Sequence, residues 1–244
     1  MKVLVFGGTT EGRLLARELS ALGAQVTVSV ATALGAEELR GVPPLTVCVG
    51  RKDARQMREM LPGFAVCVDA THPYAAEASG NIRAACLAAG VPYRRLLRGA
   101  SALPPDSVVV PDAPAAARWL AGTQGNILLA TGAKELAGLD AERLYPRVLP
   151  THEGLAACEA AGVPHGNIIA LQGPFTRELN EALMRRFDIG YLVTKDGGAP
   201  GGFGEKAQAA RNVGARLVVI RRPADSGEDY AAVLNECREM MACR

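Results

Sequence analysis

Short apolar runs alternate with stretches of helical periodicity along the whole chain of 244 residues. The runs are rich in Val, Leu and Ile and lack polar alternation, which is typical of parallel strands buried on both faces. Strands that alternate with helices in this way form parallel α/β sheets. A chain of this length has room for one large domain or two small ones. The pattern therefore predicts an α/β protein.

The same pattern gives approximate bounds for each element. We predict strands at 2–6, 25–30, 45–49, 65–69, 92–96, 107–110, 126–130, 143–148, 167–171, 190–194 and 216–220. We predict helices at 11–22, 35–40, 53–61, 74–89, 112–121, 133–138, 152–161, 175–186, 203–213 and 227–241. A proline-rich connector at 101–106 interrupts the alternation. We therefore expect two Rossmann-like three-layer α/β/α domains with mostly parallel sheets, at residues 1–100 and 101–244.

Composition excludes several classes of function. Hydrophobic residues make up 49% of the chain and charged residues 21%, which is ordinary for a globular protein. The net charge of +2 is too small to indicate a nucleic-acid partner. The six cysteines and three histidines show no metal-ligand spacing, so we expect no metal. No segment has the length of a membrane span or the form of a signal peptide, so we expect a cytoplasmic protein with no membrane partner. The sequence does not indicate an oligomeric state.

The first predicted strand runs directly into a glycine-rich turn and a helix. This order exposes backbone N–H groups at a helix N-terminus, where they bind phosphate. The turn is a variant of G-x-G-x-x-G in which Thr9 replaces the middle glycine, and the Thr9 hydroxyl is itself a candidate phosphate ligand. The turn therefore predicts a nucleotide-binding site, with the candidate residues Gly7, Gly8, Thr9, Thr10, Glu11, Gly12 and Arg13.

The end of the second strand bears on which dinucleotide binds. NAD sites usually place an acidic residue here for the ribose hydroxyls, whereas this chain has Ser29 and Thr32. Both side chains can donate to a 2′-phosphate without repelling it. Arg51, after the third strand, is a candidate cation for the same phosphate, although a solvated residue at a helix start is an equally good interpretation. We therefore favour NADP over NAD.

Polar residues also follow the fourth strand, which is expected to lie beside the glycine turn. Thr71 and His72 are candidates for cofactor contact, and His72 and Tyr74 are candidate proton donors. Helix capping alone would explain Thr71. A structural role for His72 is the alternative to a chemical one.

The second half contains a glycine-rich segment between a predicted strand and a helix, with five glycines in the eight positions 197–204. Lys195 ends the strand and Lys206 lies in the first helical turn, where the helix dipole disfavours cations. An anionic ligand would remove that conflict, and residues that break a local rule often serve function. Tyr191 and Lys195 match the Tyr-x-x-x-Lys pair of short-chain dehydrogenases. We reject the match because a strand separates the two side chains by about 13 Å.

Four segments in this order resemble the precorrin-6A reductases of cobalamin biosynthesis over nearly the whole chain. They are GGTTEGR at 7–13, DATHPYA at 69–75, GPF at 173–175, and VTKDGG at 193–198 followed by EK at 205–206. The resemblance implies two Rossmann-like domains with the ligands between them. It also implies an NADPH-dependent enzyme that reduces a ring double bond of precorrin-6A, or of its cobalt complex, to the 6B form.

The implied substrate is a tetrapyrrole that carries many carboxylates, and this polyanion requires local cations. Cations near predicted strand ends or the connector are Arg94, Arg95, Arg98, Lys134, Arg147, Lys195 and Lys206. From the resemblance and these charges we assign substrate binding to Lys134, Thr194, Lys195, Asp196, Gly197, Gly198 and Lys206. Asp196 joins His72 and Tyr74 as a candidate proton donor, with solvent and the ring nitrogens of the substrate as alternatives.

Two other functions fit parts of the sequence. A non-catalytic NADP-sensing module would need the first half only and would lack the glycine-rich segment with its lysines. A nucleotide-sugar enzyme of twin-Rossmann architecture would need acidic or amide groups for sugar hydroxyls, whereas lysines and glycines dominate the second half. A reductase for a polyanionic substrate explains more of the chain.

Overall fold

The computed structural model describes residues 1–41, 44–198 and 201–243, and the chain divides into two compact units. Unit 1 comprises residues 1–99 together with the C-terminal segment from Pro223. Unit 2 comprises residues 100–222. The sequence predicted that residues 223–244 belong to the second domain, whereas the structure groups this C-terminal segment with unit 1.

Unit 1 contains a five-stranded parallel sheet. Its strands are β1 (Lys2–Phe6), β2 (Gln25–Val30), β3 (Leu45–Val49), β4 (Val66–Asp69) and β5 (Tyr93–Arg95). Its helices are α1 (Thr10–Ala21), α2 (Ala33–Glu37), α3 (Ala54–Met60), α4 (Ala76–Ala89) and, from the C-terminal segment, α9 (Tyr230–Ala242).

The strand order in unit 1 is β3-β2-β1-β4-β5. The chain moves outward from β1 to β3 and then returns to place β4 on the other side of β1. Successive connections therefore leave β1 and β4 in opposite directions, and a crevice opens at the C-terminal ends of these two strands. Ligands of open α/β sheets bind at such a switch point.

Helix α9 belongs to unit 1 because its apolar face completes that core. Val233, Leu234 and Cys237 are buried in one cluster with Leu15 and Leu19 of α1. In the same unit, the Tyr230 hydroxyl donates a hydrogen bond to Glu18 at 2.7 Å. A hydrophobic stripe indicates that a helix is buried, but not which sheet it covers, so the sequence alone does not assign α9 to a unit.

Unit 2 contains a second parallel sheet, of six strands. They are β6 (Val108–Val110), β7 (Asn126–Leu129), β8 (Leu144–Val148), β9 (Ile169–Ala170), β10 (Ile189–Lys195) and β11 (Arg216–Ile220). Its helices are α5 (Ala113–Ala121), α6 (His152–Ala160), α7 (Arg177–Arg186) and α8 (Phe203–Val213). Short 3₁₀ turns occupy Ala133–Glu135, Ala141–Arg143 and His165–Asn167.

The strand order in unit 2 is β6-β11-β10-β7-β8-β9. Here β7 and β10 form the switch point, so the residues after Leu129 and the residues around Lys195 lie at the same edge of the sheet. Each unit is thus a mostly parallel α/β sheet, as predicted.

Two predicted elements are much shorter in the structure, and the bounds of several others shift by one to three residues. The helix predicted at 133–138 is only the 3₁₀ turn Ala133–Glu135, since Gly138 adopts a φ of +79° that no helix continues through. The strand predicted at 167–171 is reduced to Ile169–Ala170, because a 3₁₀ turn occupies its start. No helix in the described part of the chain is long and apolar enough to cross a membrane.

Candidate functional site

The glycine-rich turn after β1 is held against the end of β4. The Thr9 side chain accepts a hydrogen bond from the Gly12 N–H at 3.1 Å and donates one to the Ala70 carbonyl at 3.0 Å. A Cβ on Gly12 would lie 2.6 Å from the Ala70 Cβ, so only glycine fits there. The turn and the residues after β4 therefore form one packed surface.

The same bonds correct the prediction for the Thr9 hydroxyl. It caps α1 and bridges to Ala70, so both its donor and its acceptor capacity serve the fold rather than a phosphate. The backbone N–H groups of the turn remain the candidate phosphate ligands.

A cleft of about 200 Å³ opens beside the turn, at the C-terminal ends of β1 and β2. It is lined by Gly7, Gly8, Arg13, Val28, Val30, Ala31, Thr32, Leu34, Gly35, Glu38 and Leu39. Gly8 is exposed, and a Cβ there would meet only backbone atoms of Thr71 and His72 at 3.5 Å. Gly8 therefore leaves room for a ligand to approach the backbone closely.

The cation that lines this cleft is Arg13. Its guanidinium pairs with Glu38 and donates to the Thr10 hydroxyl at 3.2 Å. Arg51 is exposed and is not among the lining residues, which fits a solvated residue at a helix start better than a place at the 2′-phosphate.

Of the remaining cofactor candidates of this region, one lines the cleft and two do not. Thr32 lines the cleft and caps α2 by accepting from the Gly35 N–H at 3.2 Å. Ser29 is buried in β2 and does not line the cleft. Glu11 forms an ion pair with Arg98 at 2.9 Å.

Beside the turn, Asp69 organises a buried polar network at the end of β4. It is fully buried and accepts hydrogen bonds from the Thr71 N–H, the Thr71 hydroxyl, Tyr93 and Arg95 at 2.7–3.1 Å. Arg95 also donates to Asp225 at 2.8 Å. Burial, and then the Asp69 charge, raise the pKa of Tyr93. Thr71 is therefore a member of this network, and it does not cap α4, whose N-cap is Ala75.

His72 and Tyr74 lie together beyond the network. Their ring centroids are 5.5 Å apart, and His72 Nδ1 accepts from the Tyr74 N–H at 3.4 Å. This bond leaves the His72 proton on Nε2 in the neutral ring. Both side chains are partly exposed, as a residue that contacts a ligand must be.

In unit 2, several predicted substrate residues hold the start of the loop after β10 or are buried beside it. The Asp196 carboxylate accepts from the N–H groups of Ser101 at 3.1 Å and Gly198 at 3.0 Å, and it contacts Arg222 at 3.6 Å. Gly198 has a φ of +70°, a conformation that favours glycine. Thr194 is fully buried, so its side chain offers no surface to a ligand. Ala199 and Pro200 of this glycine-rich segment lie outside the described residues.

Lysines of the same edge differ in their surroundings. The Lys195 ammonium forms an ion pair with Glu135, which follows β7, so it is partly neutralised. Lys134 is exposed. Tyr191 and Lys195 both lie in β10, which confirms that they are not a helical Tyr-x-x-x-Lys pair.

Lys206 and Arg147 are buried cations of unit 2 that repel each other electrostatically. Lys206 is 8% exposed and Arg147 is 6% exposed. Burial, and then the Arg147 charge, lower the pKa of Lys206 to about 8, while Glu205 and Asp196 act in the opposite direction. Burial lowers the pKa of Arg147 to about 10. Lys206 was predicted as a substrate residue from its position, whereas Arg147 was predicted only as one of several cations near strand ends.

Comparison with known proteins identifies the family. The sequence profile of the precorrin-6x reductase CbiJ/CobK family matches residues 2–242. The chain belongs to this family. Its members include the cobalt-precorrin-6A reductase of Priestia megaterium, 35% identical over 91% of this chain and 90% of that protein. The cobalt-precorrin-6A reductase of Salmonella typhimurium is 37% identical over 91% and 87%.

A precorrin-6A reductase sequence and a solved structure agree with this assignment. The precorrin-6A reductase of Rhodobacter capsulatus is 31% identical over 96% of this chain and 92% of that protein. A solved CobK precorrin-6A reductase has a TM-score of 0.76 and 27% identity, covering 98% of this chain and 97% of that one. The chain is therefore a reductase of the precorrin-6x family, and the predicted α/β fold is confirmed.

Proposed function

We propose that this reductase uses NADPH to reduce a ring double bond of precorrin-6A or cobalt-precorrin-6A to the 6B form. The observation that carries the proposal is the packed glycine turn of unit 1, with Gly8 exposed beside a cleft, in a chain of this family. When bound, NADPH would supply the hydride. The protein's own contribution would be to bind, to orient and to exclude water.

Residues of the unit 1 cleft fit a dinucleotide. The backbone at Gly7 and Gly8, at the start of α1, would hold the pyrophosphate, since these N–H groups and the helix dipole favour an anion. Thr32 and Arg13 line the same cleft and would face the adenosine ribose. Arg13 would donate to a 2′-phosphate once its guanidinium turned from Glu38, and this cation is the basis for preferring NADPH to NADH.

Cationic residues of unit 2 fit the carboxylates of the macrocycle. Lys195 ends β10 at the switch point of its sheet, and Lys206 lies one loop later. Lys134 is exposed on the turn after β7. These residues would bind the acidic side chains at the rim of the substrate and leave the ring carbons accessible to hydride.

For the proton, we favour His72 and Tyr74 over Asp196. Reduction of the double bond adds the hydride to one carbon and a proton to the conjugated system. The Asp196 carboxylate already accepts from the backbone N–H groups of Ser101 and Gly198, which makes it a positioning residue for these two segments. The His72 and Tyr74 side chains are partly exposed and would contact the substrate, and His72 would donate its proton from the imidazolium form.

The proposal is tested by anaerobic nicotinamide oxidation with each macrocycle and each dinucleotide. We expect oxidation of NADPH with one of the two macrocycles, faster than oxidation of NADH. Oxidation of NADH alone would overturn the cofactor assignment. NADPH binding without oxidation by either macrocycle would overturn the reaction and favour a sensing module.

A further inference from the structure

Arg147 and Lys206 are buried without a carboxylate within ion-pairing distance in the described part of the chain. The other cations predicted near the strand ends have such partners among the described residues, apart from the exposed Lys134. Arg94 pairs with Glu236, Arg95 with Asp69 and Asp225, Arg98 with Glu11, and Lys195 with Glu135. Glu205 and Asp196 partly offset the Lys206 charge from a greater distance. Buried charges in proteins are normally paired, so two mutually repelling buried cations that form no ion pair within the described chain require an explanation.

The contacts of Arg147 position its charge without neutralising it. Its Nη1 donates to the Asn180 side-chain carbonyl at 2.8 Å, and its guanidinium lies 3.9 Å from the centroid of the Phe175 ring. The Asn180 amide nitrogen donates to the Thr176 carbonyl at 2.8 Å, so the amide oxygen must face Arg147. An amide and an aromatic face thus orient the guanidinium where a carboxylate would have cancelled its charge.

The position of Lys206 is unfavourable for a cation for a further reason. It lies in the first turn of α8, whose positive dipole end repels a cation. Arg147 repels it further and contributes to its lowered pKa. An anion bound to both cations would offset the burial of the Lys206 charge, the helix dipole and the repulsion from Arg147.

We propose that Arg147 and Lys206 form a subsite for one carboxylate of the substrate, with Asn180 and Phe175 as positioning residues. The assignment of the carboxylate to the macrocycle rests on the proposed function. The existence of an anion site does not. A guanidinium has five N–H donors in a planar fork, and the described bond to Asn180 uses one of its nitrogens, so a planar carboxylate matches the rest.

The first test uses thermal unfolding of the whole protein at pH 7 with glutarate, inorganic phosphate or sodium chloride at matched ionic strength. We expect glutarate to raise the Tm of the unaltered protein more than chloride does. Lys206→Met and Arg147→Met should lose that response, whereas Lys206→Arg should keep it. Arg186→Gln is the matched control, because Arg186 is exposed and lies 5.4 Å from the centroid of the Phe187 ring.

Unfolding without added anion separates this role from a structural one. Lys206→Met should raise the Tm, because it removes a buried charge that forms no ion pair with the residues that the structure describes, whereas loss of a purely structural lysine would lower it. Equal responses of the unaltered protein and Lys206→Met to glutarate would overturn the subsite. A second result would also overturn it. If phosphate and NADPH raise the Tm of the unaltered protein, and both Met variants lose this rise together with their NADPH affinity, the site holds a cofactor phosphate.

Turnover separates the subsite from the proposed function. Lys206→Met should raise the KM for the macrocycle about tenfold or more, as expected for loss of a hydrogen bond to a charged group, with a smaller change in kcat. If Lys206→Met reduces the macrocycle with an unchanged KM, the subsite is refuted and the proposed reaction still stands. A glutarate response that depends on Arg147 and Lys206, without turnover of either macrocycle, would leave the anion site standing and refute the reaction.

Discussion

The Lys195 ammonium at the end of β10 forms an ion pair with the Glu135 carboxylate that follows β7. The pair spans the two central strands of the unit 2 sheet at their switch point. A ligand carboxylate that bound Lys195 would therefore share it with Glu135. This arrangement holds the lysine extended at the edge of the sheet and weakens its net attraction for anions.

Replacement of Lys195 tests its role toward the substrate. We expect Lys195→Ala to raise the KM for the macrocycle about tenfold or more, through the loss of a charge-assisted hydrogen bond, with NADPH affinity nearly unchanged. Glu135→Gln is the companion variant and should lower the KM, because it leaves the lysine charge to the substrate. Steady-state kinetics and NADPH titration measure both effects. Equal losses for the two ligands in Lys195→Ala would refute the assignment.

A methyl group at Gly8 tests the phosphate site without disturbing the fold. The added Cβ would meet its nearest neighbours at 3.5 Å, which is ordinary contact, so the Tm should stay nearly constant. It would occupy the approach to the backbone, and NADPH affinity should fall about tenfold or more. Gly166→Ala is the control, since its Cβ would meet nothing within 4 Å and Gly166 lies in unit 2. A lower Tm with unchanged affinity would contradict the site.

Discrimination between NADPH and NADH should depend on Arg13 and Glu38. Arg13→Gln removes the only guanidinium that lines the described cleft, and we expect the preference for NADPH to fall about tenfold. Glu38→Gln releases Arg13 from its ion pair and should strengthen NADPH binding. Arg51→Gln serves as the control, because Arg51 does not line the cleft. A loss of discrimination in Arg51→Gln alone would restore the original sequence prediction.

The buried Lys206 should make stability depend on pH. Its pKa is lowered from 10.5 to about 8 by burial and Arg147, against the opposing effects of Glu205 and Asp196. The unfolded chain holds the proton between pH 8 and 10.5 while the folded protein releases it, so stability should rise across that window. The gain is about 3 kcal/mol.

Lys206→Met isolates this effect. Denaturant unfolding should show the variant about 3 kcal/mol more stable than the parent below pH 8, with the difference disappearing toward pH 10.5. A difference that is constant over this range would mean that Lys206 does not lose its proton in the folded protein.

The local parts of this fold could be predicted from the sequence. Strand β1, the glycine turn and α1 follow from neighbouring residues: an apolar run, glycines, and a threonine three residues before Gly12. The 3₁₀ turn at Ala133–Glu135 was predicted as a helix, because periodicity does not register the positive φ of Gly138.

Contacts between distant elements could not be predicted in this way. The Asp69–Arg95–Asp225 network joins residues more than a hundred positions apart. Arg147, Asn180 and Lys206 come from β8, α7 and α8. For Arg147 and Lys206, the one sequence signal is a charged residue within a strand or at the unfavourable end of a helix. Such a signal marks a conflict but not the partner that resolves it.

The most direct test of the central claim is the fate of hydrogen from the cofactor. The protein is incubated anaerobically with NADPH deuterated at the transferred position and with precorrin-6A or cobalt-precorrin-6A, and the product is examined by mass spectrometry. The account predicts that one of the macrocycles is reduced and retains a single deuterium from the cofactor. Reduction without deuterium in the product, or no reduction of either macrocycle by a protein that binds NADPH, would contradict it.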